Sequence, residues 1–417
     1  MATETPSPRR TETANDPVPT RVLFLLAISC GLIVANLYYA QPLIGLIAPE
    51  IGLMPSAASL IVTLTQIGYG IGLILLVPLG DLVENRKLVL WLIGIAFMAL
   101  VVAAGARSAP VLLSAALFIG LGSVATQVLI PLATHMTPEA SRGRIVGTVM
   151  SGLLAGIMLA RPVSSFVASA FGWRAVLGGS AVVMVALGLI LKRYLPRRMP
   201  TSNHRYPELI GSLWTLLRTT PTLSRRALYQ AALFAAFTLY WTAVPLLLSG
   251  PLFGLTQKGI ALFSLAGVSG VFAAPVAGHL ADRGLTHLAT GLSLALVAAA
   301  FLLAHQGSSG SLVALVAAAI VLDLGVQANL VLGQRTIYAL GTHVRSRLNG
   351  LYMAIFFAGG ALGSAIASVA FARGGWSLVS RIGLGFPITA LLFYATERAS
   401  KVRRKPSAGD PQAGPGY

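Results

Sequence analysis

Apolar positions fall in long unbroken runs rather than in alternation or in helical stripes, and each run is about 20 residues long, the length an α-helix needs to cross roughly 30 Å of hydrocarbon. The pattern predicts twelve spans, at about 22–46, 57–80, 88–106, 110–133, 144–170, 174–192, 227–250, 258–280, 287–305, 311–339, 346–371 and 376–396. Glycines and prolines are frequent inside them, which weakens helices in water but lets backbones approach in membrane bundles. The first run starts abruptly after the polar stretch 1–21, so it reads as a retained span and not as a signal peptide. Composition agrees: 56% of residues are apolar and only 10% charged, against about 25% charged in a soluble domain. A soluble globular enzyme and a disordered chain are both excluded. The single cysteine, Cys30, sits in an apolar run, so no internal disulfide and no thiolate metal site is expected, and nothing points to a cofactor.

The net charge of +18 would suit a nucleic-acid partner if the basic residues shared one wet face. They lie instead in the gaps between apolar runs, which sets orientation in a bilayer. With the N-terminus inside, 24 of the 30 Lys and Arg fall in inside gaps, and only Arg107, Arg174, Lys258 and Arg373 in outside ones. Both termini are therefore expected in the cytoplasm of a bacterial inner membrane. The long basic gap divides the chain into a tail (1–21), a six-span unit (22–192), a linker (193–226), a second six-span unit (227–396) and a tail (397–417). Within the linker, about Pro207 to Leu217 is expected as a short surface helix beside anionic lipid.

An offset of 203 residues superimposes the halves: Pro42 on Pro245, Gly122 on Gly325, Arg142 and Arg144 on Arg345 and Arg347, Gly147 on Gly350, Gly156 on Gly359, and Gly172-Trp173 on Gly375-Trp376. Near the end of the second span of each half the offset becomes 197, pairing Pro78 with Pro275 and Arg86 with Arg283. The halves read as a parallel duplication about an axis along the membrane normal, an arrangement found in rocking-bundle transporters.

Gly278-His279-Leu280-Ala281-Asp282-Arg283-Gly284 resembles the G-x-L-A-D-R-x-G loop of the major facilitator superfamily. Its partner after the second span, Gly80-Asp81-Leu82-Val83-Glu84-Asn85-Arg86-Lys87, departs from that pattern, with Asn85 where an aspartate is expected and Asp81 one helical turn earlier. Gly156-Ile157-Met158-Leu159-Ala160-Arg161-Pro162 looks like a variant of the superfamily's glycine-proline antiporter motif, and two further stretches, 36–43 and 322–329, resemble a bacterial efflux-type (drug:proton antiporter-like) subgroup. The resemblance covers about 22–396. It implies an all-α membrane fold of two pseudo-symmetric six-helix bundles. It also implies a conformational latch at one face, biasing an outward-open state, built from Gly80, Asp81, Arg86, Lys87, Gly278, Asp282, Arg283 and the arginines Arg142, Arg144, Arg345 and Arg347. For Arg86 and Lys87, topology determination is the alternative reading.

A charge inside a span costs at least about 2.5–3.5 kcal/mol unless it meets a cavity or a partner. Asp323 is the deep carboxylate, about 18 Å along the tenth span from its outer end, with Gln327, Leu330 and Gln334 on the same face. It is the candidate for proton coupling. Arg161, about 14 Å from the same side in the fifth span, is a candidate to pair with it, either as an outer gate or simply to neutralise two buried charges. Arg381 is expected to snorkel to the outer interface. The superfamily's pattern, in which spans 1, 4, 7 and 10 face the centre, implies cavity candidates Asn36, Tyr39, Gln41, Thr126, Gln127, Tyr240, Trp241, Thr242, Gln327 and Asn329. Each has an alternative reading as glue between helices. Aromatic walls suit a lipophilic or aromatic solute, cationic if Asp323 is free to pair with it.

The expectation is a monomeric carrier working by alternating access, with proton-driven export of a small organic molecule as the leading reading. Proton-coupled uptake or facilitated diffusion of a metabolite is the alternative within transport. An integral-membrane enzyme is the alternative from another class, and it is opposed by singly scattered histidines and the lack of an activated nucleophile. No phosphate-binding G-x-x-x-x-G-K-[ST] loop is present to support direct ATP drive.

Overall fold

The computed structural model describes residues 20–135, 142–200, 205–341 and 344–403. The helices are α1 (Thr20–Ala35), α2 (Ile44–Glu50), α3 (Leu60–Leu75), α4 (Asn85–Gly105), α5 (Ala109–Ser123), α6 (Ala125–His135), α7 (Arg142–Tyr194), α8 (Tyr206–Thr219), α9 (Pro221–Ser249), α10 (Gln257–Ser264), α11 (Ala273–Asp282), α12 (Thr286–His305), α13 (Leu312–Tyr338) and α14 (Arg345–Arg403). Nine of the described helical segments are long and apolar enough to cross a bilayer, and Val22–Ala35 adds a shorter one. Two of the nine are double crossings. α7 reverses at Gly172 (φ 78°), and α14 reverses at Gly374–Gly375, where Gly375 has φ 58°. Positive φ is where a side chain is strained and glycine is not, so the two copies of the Gly-Trp pair mark these reversals. Twelve transmembrane helices result, in two pseudo-symmetric six-helix bundles.

The halves are packed alike. α1 lies along the first part of α7, and α9 along the first part of α14, each crossing at a glycine of the 203-residue repeat. A Cβ on Gly156 would run into the backbone of Gly31, and one on Gly359 into the backbone of Ala231. Bare backbone against backbone gives the close approach that dispersion rewards in lipid, where no hydrophobic effect draws helices together. Between the halves, α3 packs on α14, while α10 and the following 3₁₀ segment Leu265–Phe272 pack on α7.

Several spans are less regular than the apolar pattern implies. The first unwinds after Ala35 into turns and a 3₁₀ turn, Gln41–Leu43, and the eighth carries eight residues of 3₁₀ helix in its middle. The eighth span turns Gly267 and Gly270 of this stretch to the protein and leaves Leu265, Val271 and Phe272 exposed. The basic loops 80–86 and 278–284 lie on one face, called here the basic face. On the opposite face Arg174, just past the Gly172 reversal, is ion-paired with Glu50 at the end of α2 and holds that exposed carboxyl below its ordinary range. The linker contains α8, whose Leu209 and Leu213 are buried while Trp214 is exposed beneath Arg218. Tyr206 donates to the carbonyl of Leu75 at the end of α3, 2.8 Å away. The terminal stretches 1–19 and 404–417 of the expected tails lie outside the described residues.

Candidate functional site

Arg161, Trp241 and Asp323 meet between the halves, all at most 1% exposed. The indole N–H of Trp241 donates to Asp323 Oδ2 at 2.9 Å, and the guanidinium of Arg161 lies over the same indole, 4.1 Å from its centroid. Phe237 and Tyr38 complete a ring cage at 4.9 and 5.8 Å. Arg161 and Asp323 form no ion pair within 4.0 Å among the described residues, and the three guanidinium nitrogens and Asp323 Oδ1 have no hydrogen-bond partner there. Cation–π contacts contribute only about 0.5–2 kcal/mol, whereas removing a charge from water costs several kcal/mol even after relaxation. The cage therefore does not offset that cost by itself, and Asp323, on the N–H of the same indole, is the carboxyl beside it. Gly267 and Gly270 of the 3₁₀ segment cover the cluster, the first against Trp241 and Arg161, the second against Met158, Gln327 and Asp323.

Immediately on the basic side of this cluster is a central cavity of about 70 Å³, several times the roughly 10–15 Å³ that one ordered water requires. Of the residues expected in a cavity, Gln127 and Gln327 line it. The others are placed elsewhere, mostly by hydrogen bonds that hold neighbouring helices together. Asn36 accepts from Ser180 at 2.5 Å, Asn329 donates to Gln230 Oε1 at 2.6 Å, and Tyr240 donates to the Leu315 carbonyl at 2.7 Å. Thr126 lies behind Tyr69, bonded to its hydroxyl at 3.1 Å. Tyr39 borders an outward groove between α1 and α7. Gln41 and Thr242 are buried with side-chain polar atoms that find no partner among the described residues. Expectation overlooked the lining from the second, fifth and eleventh spans, above all Tyr69 and Phe357, whose rings meet at 4.3 Å. Their only signal in the sequence was aromatic character, which packing residues share.

A family signature described as Major Facilitator Superfamily matches residues 23–329. The chain belongs to the major facilitator superfamily. It is accordingly a multi-pass membrane protein and a secondary transporter, not an enzyme. An uncharacterized transporter, YgaY, of Escherichia coli O157:H7 is 38% identical over 380 residues, covering 91% of this chain and 96% of its own. A probable transporter of Streptomyces coelicolor, SCO4007, is 34% identical over 400 residues, covering 93% and 92%. In fold, the chain is similar to the solved nucleoside transporter NupG, with a TM-score of 0.72 at 14% identity, over 90% of this chain and 99% of that one.

Among the described residues, the side-chain contacts of the superfamily loops stay within their own halves, and the Asn85 backbone N–H donates to the Arg198 carbonyl of the linker at 3.2 Å. Asp282 is ion-paired with Arg335, which also donates to the Gly278 carbonyl at 3.0 Å. Arg86 donates to the Lys192 carbonyl, Lys87 pairs with Glu84 at 3.4 Å, and Arg345 donates to the Tyr338 carbonyl at 3.0 Å. Asp81 is exposed and Asn85 buried, while Arg283 is exposed and Arg347 half-buried. Gly80 packs near Val128 and the Asn85 side chain. The side chains of Arg142 and Arg144 lie outside the described residues. Arg381 is exposed and folds back on the Ser377 carbonyl at 3.1 Å.

By contrast, the opposite face is closed by direct contacts between halves. Ser59 and Ser368 exchange bonds between backbone N–H and hydroxyl at 2.9 and 3.4 Å, Thr63 and Ser364 hydroxyls meet at 3.0 Å, and Gln257 reaches the Pro42 carbonyl at 3.5 Å. The cavity extends the other way, its lining reaching Gln334, Tyr338 and Asn349 close to the basic face.

Proposed function

We propose that this transporter exports a small organic solute in exchange for protons, with Asp323 as the proton carrier and Arg161 as its buried counter-charge. The observation that carries this is the Arg161–Trp241–Asp323 cluster, set between the halves and one ring layer from the cavity. A carboxylate there has two ways to exist, balanced by Arg161 through the indole or neutralised by a proton. Phe237 and Tyr38 touch both the cavity and the Arg161 cage, so a solute resting on them alters the surroundings of the charge balance. The basic face is the cytoplasmic one in this reading, because it holds most of the Lys and Arg. The cavity then accepts solute from the cytoplasm while the seals at Ser59–Ser368 and Thr63–Ser364 close the outside. Rocking of the halves breaks those seals and brings the loop residues 80–87, 142–144, 278–283 and 345–347 of the two halves together as the latch.

The test uses inverted membrane vesicles with an acidified lumen and a pH dye, into which a panel of small molecules is added. A solute that discharges the gradient with the wild type and not with Asp323→Asn is the expected result. Absence of any response from folded, inserted wild-type protein, together with gradient-independent solute flux, would transfer the reading to facilitated diffusion or uptake. An equal discharge by both proteins would reduce Asp323 to a structural partner of Arg161.

A further inference from the structure

The wall of the central cavity is built for a narrower class of solute than "small organic". One side is a run of rings: Tyr69 against Phe357 at 4.3 Å, Phe357 against Phe234 at 5.4 Å, and Phe234 stacked on Phe356 at 3.8 Å and 15°. The other polar features are carboxamides and the hydroxyls of Tyr38, Tyr69 and Tyr338. Gln127 is spent on the Tyr69 hydroxyl at 3.0 Å and Gln334 on Asn349 at 3.3 Å. Gln327 and the Tyr38 hydroxyl make no hydrogen bond among the described residues, and of the two Gln327 presents a planar amide whose separate nitrogen and oxygen can donate to and accept from a bound molecule at once.

No Asp, Glu, Lys, Arg or His is among the described residues of that wall. A charged solute would leave water for a site with no counter-ion, a cost that one or two neutral hydrogen bonds do not offset. Aromatic faces could hold a cation, but the two rings nearest the buried charges, Tyr38 and Phe237, already face the Arg161 guanidinium from behind, and its fixed positive charge opposes a second one. An anion fares no better, since the Arg161 nitrogens are shut behind those rings and Asp323 shares the same indole. The Asp323 charge is equally out of reach, which removes the condition under which a cationic solute was expected.

We propose that the cavity selects an uncharged, flat aryl or heteroaryl solute of about one ring, stacked on the Tyr69–Phe357–Phe234 surface and hydrogen-bonded through the Gln327 amide. The inference rests on the cavity being the transport path, and it makes solute and proton occupy separate compartments that communicate through the rings of Tyr38 and Phe237.

Binding to the purified full-length protein is measured by thermal stabilisation with three probes of matched size: benzamide, benzylammonium and benzoate. Benzamide should stabilise the protein saturably, with an affinity at least about tenfold above either charged probe. The Gln327→Glu variant should invert the order of benzamide and benzylammonium, a gain of binding that misfolding cannot produce. The proposal is overturned if a charged probe binds the wild type as tightly as benzamide, if no probe stabilises a cooperatively melting wild type, or if Gln327→Glu leaves the order unchanged. No gradient enters this measurement. Benzamide binding without proton-linked movement would sink the export reading alone, and proton-linked movement of an ion would sink the solute class alone.

Discussion

Replacing Trp241 by phenylalanine separates its two contacts, because the ring over Arg161 stays and the N–H to Asp323 is lost. A hydrogen bond to a charged group contributes about 1.5–3 kcal/mol, so transport by Trp241→Phe should fall roughly tenfold or more and its pH profile should move. Tyr240→Phe is the control. It removes a bond to the Leu315 carbonyl and leaves every hydrogen bond of Trp241 and Asp323 in place, so it should leave the pH profile unmoved. A profile unmoved in Trp241→Phe would mean that the indole does not connect the charges. Residues of this cluster were unequally legible in the sequence. Asp323 and Arg161 stand out because a charge within an apolar run has no cheap explanation. Trp241 did not announce its link to either, since its contacts come from the fifth and tenth spans and only the fold brings them together. Asn36 and Asn329 misled for the same reason. Their polarity was plain, but the partners that consume it, Ser180 and Gln230, lie on other helices.

Helix against helix, the decisive feature is the glycine at matching positions of the two halves. Gly156→Val forces a side chain into the Gly31 backbone, where neither partner can yield without moving the whole of α1 or α7. Overpacking of this kind costs about 1–3 kcal/mol or more. The variant should melt several degrees below wild type or fail to insert, and Gly359→Val should behave likewise against Ala231. Gly147→Val, which meets open space, should insert and melt as wild type. Melting of Gly156→Val at the wild-type temperature would refute the close crossing. The existence and number of the spans were readable from run length, and the reversals at Gly172 and Gly375 from the gaps between the fifth and sixth and between the eleventh and twelfth apolar runs. The 3₁₀ segment 265–272 was not readable, because its glycines resemble the packing glycines of any membrane helix while the residues that lie against them, Arg161, Trp241 and Asp323, come from other spans.

Across the molecule, the halves touch on one face and enclose a cavity near the other, which is the arrangement of one end state of an alternating-access cycle. Ser59 and Ser368 are close enough to exchange hydrogen bonds, so a cysteine at each position should form a disulfide on mild oxidation. The native Cys30 is fully buried and should not compete. Oxidised S59C/S368C should lose transport and regain it on reduction, whereas either single variant should transport throughout. Full activity of the cross-linked protein would show that this face does not open. The duplication was legible at this scale because offsets of 203 and 197 survive in loops and crossings. The conformation was not, since sequence describes both end states equally. If Asp323 carries the coupled proton, as proposed, solute in the cavity governs that proton. The most direct measurement of this mixes a bound solute with weakly buffered, purified protein and reads pH with a dye. Proton release from the wild type, and none from an Asp323→Asn variant that still binds the solute, is the predicted result. Solute binding to the wild type with no release at any pH from about 5 to 8 would contradict it.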